Sequence, residues 1–292
     1  MKWQGRRQSS NVEDRRGTAA KGVAIGGGLG GFGIIITLIV IILTYCTGGN
    51  IGDISDSFNN SQITSLTAEI TNPAAAQSQD ELSQFVSVVF ADTEDVWTEI
   101  FSANDMDYIY PGLVLYTDYV QSGCGVTGSS TGPFYCPADQ KVYIDLSFYQ
   151  ELQYRFSAPG DFAMAYVIAH EVGHHIQNLL GIMKDVTNAQ SNATSRAVVN
   201  DFSVRLELQA DFLAGIWTYY VNKWDYLEKG DIEEALNAAS AVGDDRIQQQ
   251  YQGYIMPDSF THGTSEQRQR WFYKGFTTGN LEEGDTFNTK DL

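Results

Sequence analysis

The sequence predicts a mainly helical α+β domain with a small mixed or antiparallel sheet, preceded by one transmembrane helix. Three stretches predict helices because apolar residues recur in them at roughly helical spacing. These stretches are 81–101, 161–180 and 187–224. Two shorter stretches, 113–123 and 141–148, alternate apolar and polar residues as strands do. A run of 22 uncharged residues, 23–44, precedes all of them.

The uncharged run is long enough to cross a bilayer as a helix and longer than the core of a usual signal peptide. No small-x-small cleavage site follows it, so we expect an uncleaved anchor at 23–45. The preceding segment, 1–22, carries six basic and two acidic side chains. The positive-inside rule places such a segment in the cytoplasm and the rest of the chain outside. The predicted location is therefore a single-pass membrane protein with a cytoplasmic N-terminus and an extracytoplasmic domain.

Glycines within the anchor are spaced for helix association. Gly26 and Gly30, and likewise Gly27 and Gly31, form small-xxx-small pairs, which allow two helices to approach closely in a membrane. The alternative is an anchor that is merely rich in glycine. The next segment, 46–79, is rich in small and polar residues, and this composition predicts a flexible linker.

The remainder of the chain is acidic. The whole sequence has 18 Lys and Arg against 36 Asp and Glu, and its formal net charge is −18. Because 1–22 holds six of the 18 basic residues but only two of the 36 acidic ones, the rest is strongly acidic. It is therefore not expected to bind nucleic acid, and peptides or cationic substrates suit it better. The length fits one sizeable domain, assigned to 80–280, followed by an acidic tail at 281–292.

The most informative pattern is His-Glu-x-x-His, formed by His170, Glu171 and His174. Residues four apart share a helix face, so the two imidazoles can bind one metal ion. Glu171 lies about 100° further round the helix and suits a general base for a metal-activated water. The alternative is a pair of core histidines with hydrogen-bond partners. Asp161 is a candidate N-cap, and the stretch that follows it is largely apolar, which favours the metal site.

Two histidines do not hold a catalytic zinc ion, so a third ligand must lie elsewhere. The downstream stretch RLELQADFLAGIW places Glu207 and Asp211 on one helix face. Glu207 is the predicted third ligand, and Asp211 is predicted to accept a hydrogen bond from the non-ligating nitrogen of one histidine. Two alternatives remain open: Asp211 as the ligand, or a solvated or ion-paired acidic face. His175 is expected to tolerate substitution, because it lies about 100° from His174.

Two further groups of residues have candidate roles. Cys124 and Cys136 flank a Gly/Ser-rich loop, and outside the cytoplasm we expect them to form a disulfide. Zinc binding by these cysteines is the weaker alternative. Asp244 and Asp245 could bind a second ion such as calcium, although a solvated pair near Arg246 is favoured.

Four separated motifs resemble the bacterial putative neutral zinc metallopeptidase family. They are MKWQGRRQSSNVEDRRG, HEVGHHIQNLLG, RLELQADFLAG and FTHGTSEQR, and they span most of the chain. The resemblance implies a bound Zn²⁺ ion and a zincin-like metallopeptidase domain similar to the glutamate-zincins. In glutamate-zincins a histidine after the glutamate ligand stabilises negative charge during the reaction. His262 fits that order, with a capping or structural histidine as the alternative.

The resemblance also suggests where a substrate would bind. An edge strand of zincin-type peptidases adds an extended peptide as a further strand, and the segment 135–145 is the candidate here. Arg268 and Arg270 are weaker candidates for contact with the reacting group, because a solvated helix would also explain them.

The predicted function is a membrane-anchored zinc peptidase that hydrolyses bonds in a peptide or protein substrate. His170, His174 and Glu207 would bind the zinc, Glu171 would act as general base for a zinc-activated water, and His262 would assist catalysis. The alternative is a catalytically silent or inhibited zinc-binding scaffold at the membrane. Self-association through the Gly-rich transmembrane helix is a further expected interaction.

Overall fold

The computed structural model describes residues 1–16 and 73–292. Within this part, Met1–Arg16 and Leu82–Leu292 form one compact unit. The predicted transmembrane helix at 23–45, its glycine pairs and most of the predicted linker lie outside the described residues. In the part of the chain that is described, no helix is both long and apolar enough to cross a membrane.

Eight α-helices provide most of the described structure. They are α1 Pro73–Ala103, α2 Phe148–Tyr154, α3 Asp161–Leu179, α4 Ile182–Ser191, α5 Arg196–Lys223, α6 Asp231–Ala241, α7 Asp244–Gln252 and α8 Ser265–Thr278. The predicted helix at 161–180 corresponds to α3, although Gly160 occupies the N-cap position expected for Asp161. The predicted helix at 187–224 is divided into α4 and α5. The division occurs because Ser195 caps a new helix by accepting a hydrogen bond from the backbone N–H of Val198.

Six short strands form two sheets. The strands are β1 Val12–Asp14, β2 Gly112–Tyr116, β3 Tyr119–Ser122, β4 Gly125–Gly128, β5 Phe134–Cys136 and β6 Lys141–Asp145. The larger sheet has the order β1-β2-β6-β5, in which β5 is antiparallel to β6 and the other pairs are parallel. β3 and β4 form an antiparallel hairpin. The mainly helical α+β class and the small mixed sheet are therefore confirmed.

The predicted strand at 113–123 is two strands, β2 and β3. The break falls at Asp118, whose backbone has a φ of 63°, in the left-handed region that an extended strand does not use. The Asp118 backbone N–H donates to the carboxylate of Asp145 at 2.9 Å. This turn directs β3 out of the larger sheet and into the hairpin.

The N-terminal segment and the acidic tail are both integrated into the domain. β1 pairs with β2, whereas the predicted division placed 1–22 in a separate segment. In the tail, Thr286 is fully buried and its hydroxyl donates to the Arg205 carbonyl at 2.7 Å. The Arg205 guanidinium donates to the Thr286 carbonyl at 2.6 Å. These contacts attach the tail to α5.

Helix α3 lies at the centre of the core. Sixteen consecutive residues of α3, 162–177, are buried. Phe162 stacks on Trp217 of α5, and Tyr166 meets Phe272 of α8 edge to face. A helix with so few polar residues away from its His-Glu-x-x-His motif is stable only when it is surrounded by other elements. The motif is therefore presented from the most enclosed helix of the domain.

Glycine allows the helices around α3 to approach closely. A Cβ atom on Gly215 of α5 would lie 2.1 Å from the Phe272 carbonyl oxygen, and one on Gly275 of α8 would lie 2.1 Å from that of Phe212. Such distances are far below van der Waals contact, so only glycine fits at this crossing. The crossing fixes α8 against α5 and thereby determines where the side chains of α8 point.

We predict that Gly275→Ala destabilises the protein by about 2–3 kcal/mol, because the added methyl group forces the two backbones apart. Chemical denaturation of the full chain in detergent, followed by tryptophan fluorescence, measures the change. Glu266→Ala, at an exposed position of the same helix, is the matched control and should stay within about 0.5 kcal/mol of the parent. Equal stability of the two variants would contradict the close crossing.

Candidate metal centre and cleft

Three predicted ligands meet between α3 and α5. The Nε2 atom of His170 lies 3.2 Å from one carboxylate oxygen of Glu207, and the Nε2 atom of His174 lies 3.4 Å from the other. One ligand atom from each of these residues lies within 4.8 Å of the others. The structure therefore brings together the two imidazoles and the carboxylate that the sequence spacing predicted.

The closeness of α3 and α5 has a local cause in the motif itself. A Cβ atom on Gly173 would lie 3.0 Å from the Ala210 carbonyl oxygen, which is tighter than ordinary contact. Gly173 thus allows the backbone of α5 to lie directly against α3. At this separation a glutamate side chain from α5 reaches imidazoles that project from α3.

The Nδ1 atoms of both imidazoles lie next to hydrogen-bond acceptors. His170 Nδ1 lies 2.8 Å from an oxygen of Asp211, and His174 Nδ1 lies 2.8 Å from Oε1 of Gln177. These acceptors assign the ring proton of each neutral histidine to Nδ1, so each Nε2 presents a lone pair. Two such lone pairs and the Glu207 carboxylate point at one another, and a cation between them satisfies all three.

The dimensions and chemistry of the group fit zinc. Zinc bonds to imidazole nitrogen and carboxylate oxygen are about 2.0–2.2 Å long, so neighbouring ligands of a tetrahedral ion lie roughly 3.4 Å apart. The contacts of 3.2 and 3.4 Å between Glu207 and the two histidines match this separation. Two imidazoles with one carboxylate form a donor set that is characteristic of catalytic zinc.

Asp211 orients the first histidine from a fully buried position. Its carboxylate accepts hydrogen bonds from the Tyr166 hydroxyl at 2.5 Å and from the Arg268 guanidinium at 2.8 and 2.9 Å, in addition to His170. Asp211 faces Nδ1 of His170 rather than the ligand atoms, which is the position of an orienting acceptor. Arg268 is buried beside it instead of lying on a solvated helix face.

The electrostatics of the site follow from these contacts. Burial alone would raise the pKa of Asp211, but the Arg268 and His170 charges outweigh it and lower the pKa to about 2. Burial disfavours a charged His170, yet Asp211 and Glu207 outweigh that effect and raise its pKa to about 10. Glu207 is likewise held as a carboxylate, since the two histidines lower its pKa well below the usual value despite burial. The two carboxylates therefore favour a positive charge at the imidazoles, either as a proton or as a bound cation in its place.

Glu171 lies on the cleft side of α3. Its carboxylate forms no hydrogen bond or ion pair within the described part of the chain, and its side chain lines a cleft of about 480 Å³. The cleft also contains the three ligand residues, His262 and Arg268. An acid that is free of partners beside the metal group can exchange a proton with a water in the cleft.

His262 also lines the cleft, from the turn before α8. Its Nδ1 atom lies 3.2 Å from Asp244 Oδ1, and its backbone N–H donates to Asp244 Oδ2 at 2.6 Å. The hydrogen bond with Asp244 raises the pKa of His262 and outweighs the opposing effect of burial. The turn therefore presents an imidazole that is protonated more readily than a free histidine.

Asp244 and Asp245, the candidate ligands of a second ion, form hydrogen bonds within the domain. Asp244 accepts from the backbone of the turn that holds His262, and Asp245 Oδ1 accepts the backbone N–H of Ser265 at 2.8 Å. Neither belongs to a group of three metal-ligating side chains among the described residues. These acids shape the turn before α8.

The disulfide between Cys124 and Cys136 is confirmed. It closes the loop that contains β4 and leads into β5. The end of this loop, 131–135, lines the cleft that contains the candidate metal ligands. The disulfide therefore connects the hairpin to one wall of the cleft, next to the edge strand of the larger sheet.

The expectation that His175 tolerates substitution is wrong. His175 is fully buried, and burial lowers its pKa, so the ring is neutral. Its Nε2–H donates to the Ile109 carbonyl at 2.7 Å, and its Nδ1 accepts from the Tyr135 hydroxyl at 3.0 Å. Asn178 donates to the same hydroxyl at 3.0 Å. His175, about 100° round α3 from His174, thus connects the helix to the edge strand β5.

Sequence reasoning missed three residues of the site network: Tyr166, Gln177 and the buried role of Arg268. A helical wheel of α3 places Tyr166 four residues before His170, which is the available signal for its contact with Asp211. Gln177 was visible as a polar residue in an apolar helix. Its amide donates to the Leu206 carbonyl at 2.7 Å while its oxygen faces His174.

Fold and site together define a helical α+β domain in which two histidines and one glutamate form a candidate metal centre. The family model described as "Putative neutral zinc metallopeptidase" matches residues 1–287, and the chain belongs to this family. The family-level prediction is therefore confirmed.

Two relatives show how far the similarity extends. "Uncharacterized protein YpfJ" of Escherichia coli (strain K12) is 49% identical over 294 residues, covering 98% of this chain and 99% of that protein. "Uncharacterized protein Rv2575" of Mycobacterium tuberculosis (strain ATCC 25618 / H37Rv) is 46% identical over 196 residues, covering 63% of this chain and 65% of that protein. No solved structure matches the chain.

We predict that His175→Ala destabilises the protein by about 3 kcal/mol, because it removes the hydrogen bonds to the Ile109 carbonyl and the Tyr135 hydroxyl and leaves a cavity in place of a fully buried ring. Chemical denaturation of the full chain in detergent measures the loss. Lys184→Ala, at an exposed position of α4, is the control. If the two variants lose equally little stability, His175 does not connect α3 to its neighbours.

Proposed function

We propose that the chain is a zinc-dependent peptidase that hydrolyses peptide bonds in a peptide or protein substrate. The observation that carries the proposal is the convergence of His170, His174 and Glu207, with Glu171 free beside them in an open cleft. A purely structural metal site is closed by a fourth protein ligand, whereas a catalytic one keeps a position open. Three side chains and an adjacent unpaired acid match the second arrangement.

The residues have separate roles in this proposal. A bound zinc ion supplies Lewis-acid chemistry at the centre. Glu171 accepts the proton of the attacking water and delivers it to the leaving amine. His262, protonated through its contact with Asp244, donates a hydrogen bond to the scissile carbonyl oxygen as negative charge develops there. Asp211 and Arg268 hold the ring of His170 in the orientation that the metal requires.

The edge strand gives the substrate a place to bind. In the larger sheet β5 lies at one edge, and Phe134 and Tyr135 line the cleft. An extended peptide would add to β5 as a further strand and pass the metal group. The predicted segment 135–145 needs a correction, because β6 lies between β2 and β5 and has no free edge. Only the part of that segment within β5 can pair with a substrate.

Attachment to a membrane through 23–45 and an extracytoplasmic domain remain part of the proposal. The disulfide between Cys124 and Cys136 supports the location, since such bonds persist in oxidising compartments. A catalytically silent scaffold is expected to lack the base or a ligand, and this chain has Glu171 and Glu207. An inhibited site that keeps both residues is the remaining alternative.

We predict that Glu171→Gln keeps zinc and loses at least about 10³-fold in kcat on a peptide, because the base is removed while the ligands stay. Glu207→Gln should lose zinc as well as activity. Metal analysis and cleavage of a diverse peptide library by the full chain in detergent measure both effects.

Glu233→Gln is the matched control, since it makes the same change at an exposed glutamate of α6. Zinc-loaded parent protein that cleaves nothing in the library would count against peptidase activity. Normal cleavage by the Glu171→Gln variant would remove Glu171 from its role.

We predict a pH dependence that reports His262. Its raised pKa keeps the imidazole protonated to higher pH than a free histidine, so activity should fall as pH rises through that pKa. Asp244→Asn removes the charge that raises the pKa and should move the alkaline limb of kcat/KM to lower pH. His262→Ala should lower kcat/KM by about 10²-fold and abolish this limb. An alkaline limb that is unchanged in both variants would contradict the assignment.

A further inference from the structure

The basic N-terminal segment lies against acidic residues of α1. Arg7 donates to Glu94 at 2.8 Å and to Asp95 at 2.7 Å, and Arg6 forms an ion pair with Asp92. Ser9 donates its hydroxyl to Glu94 at 2.5 Å. The charges that made the segment a cytoplasmic candidate in the sequence are therefore matched by carboxylates of the domain.

Two of these acidic residues face the N-terminal segment rather than water. Asp92 and Glu94 are only 4% and 2% exposed. Within the described part of the chain, the side-chain partners of these two carboxylates come from residues 6–11. Burying a carboxylate without a partner is strongly unfavourable. The burial of Asp92 and Glu94 therefore depends on the basic segment.

Backbone pairing continues the contact into the sheet. Val12 of β1 is aligned with Leu113 of β2, in parallel register. The Leu113 N–H donates to the Asn11 carbonyl at 2.8 Å, and the Arg15 N–H donates to the Leu115 carbonyl at 2.8 Å. The segment thus covers the edge of β2 that would otherwise remain unpaired.

We infer that this face of the domain is the docking surface for the segment 2–16 of the same chain, so that the segment and the metal centre lie on one side of the membrane. The surface recognises an extended basic peptide through three features: Asp92, which pairs with Arg6; Glu94, which accepts hydrogen bonds from the segment; and the edge of β2, which pairs with β1. The chain's own segment provides the matching arginines and strand.

This inference changes the expected topology. A single crossing by 23–44 would separate the segment from the domain by a bilayer, and the contacts above could not form. The sequence from 45 to 72 contains Asp53, Asp56 and Glu69 and offers no second uncharged stretch of spanning length. Both flanks of the apolar stretch are therefore assigned to the same face of the membrane, in contrast to the predicted cytoplasmic position of 1–22.

Cysteine labelling of the full chain tests the inference. The background is Cys46→Ser, because Cys124 and Cys136 are joined and leave no other thiol. Ser10→Cys reports the segment, and Ser102→Cys reports the domain; both positions are exposed. Each variant is treated with a membrane-impermeant maleimide in spheroplasts and in inside-out vesicles of a bacterial host.

The expected result is labelling of both positions in the same preparation. Labelling of Ser10→Cys in one preparation and Ser102→Cys in the other would overturn the inference. Because both substitutions are at surface positions, the experiment does not depend on a variant that fails to fold. It also needs neither zinc nor activity, so its outcome is separate from that of the proposed function.

A second measurement tests the docking contact itself. Arg7→Glu places a like charge against Glu94 and Asp95 and should lower the Tm of the full chain in detergent clearly more than Arg246→Glu does. The control makes the same charge change at an exposed arginine of α7. Equal Tm values for the two variants would show that the segment does not dock on α1.

Discussion

The buried carboxylate of Asp211 is the interaction on which the rest of the site depends. It lies on α5 and receives hydrogen bonds from Tyr166 and His170 of α3 and from Arg268 of α8. An unpaired charge at this depth would destabilise the fold by several kcal/mol, so the three helices must keep these positions together. The same contacts that stabilise the core fix the ring of a metal ligand. When the core folds, these contacts therefore also place the His170 ring in its position at the site.

Two close helix crossings bring these three helices together. Gly173 brings α5 against α3, and the pair Gly215 and Gly275 brings α8 against α5. Where backbones touch, the separation of two helices is set by atoms that cannot change rotamer. Side chains such as Glu207 and Arg268 then extend from rigid positions, which is the condition for a precise metal centre.

The sequence predicted the features that depend on local spacing. His170 and His174 had to share a face of α3, and Glu207 and Asp211 a face of α5, because a helix repeats every 3.6 residues. Spacing does not determine which helices cross, so the contact of Arg268 with Asp211 could be read only from the structure. His175 illustrates the same limit, since its partners come from β5 and from a loop 66 residues earlier.

The boundaries of elements that depend on distant contacts also could not be predicted from the sequence. The apolar alternation at 113–123 did not show that Asp118 would turn the chain, since the acceptor for its N–H is Asp145. The charge pattern of 1–22 favoured a cytoplasmic position, because the carboxylates that pair with Arg6 and Arg7 lie 86 to 88 residues later in the chain. The local sequence shows the positive charges of this segment but not the distant carboxylates that pair with them.

The pairing of β1 with β2 has a consequence for biosynthesis. The partner of β1 lies about 100 positions further along the chain. β1 therefore emerges from the ribosome long before β2 is available to pair with it. During that interval the strand exposes backbone hydrogen-bonding groups, which can recruit another nascent chain. A chaperone that holds this short stretch would shield those groups until β2 has been made.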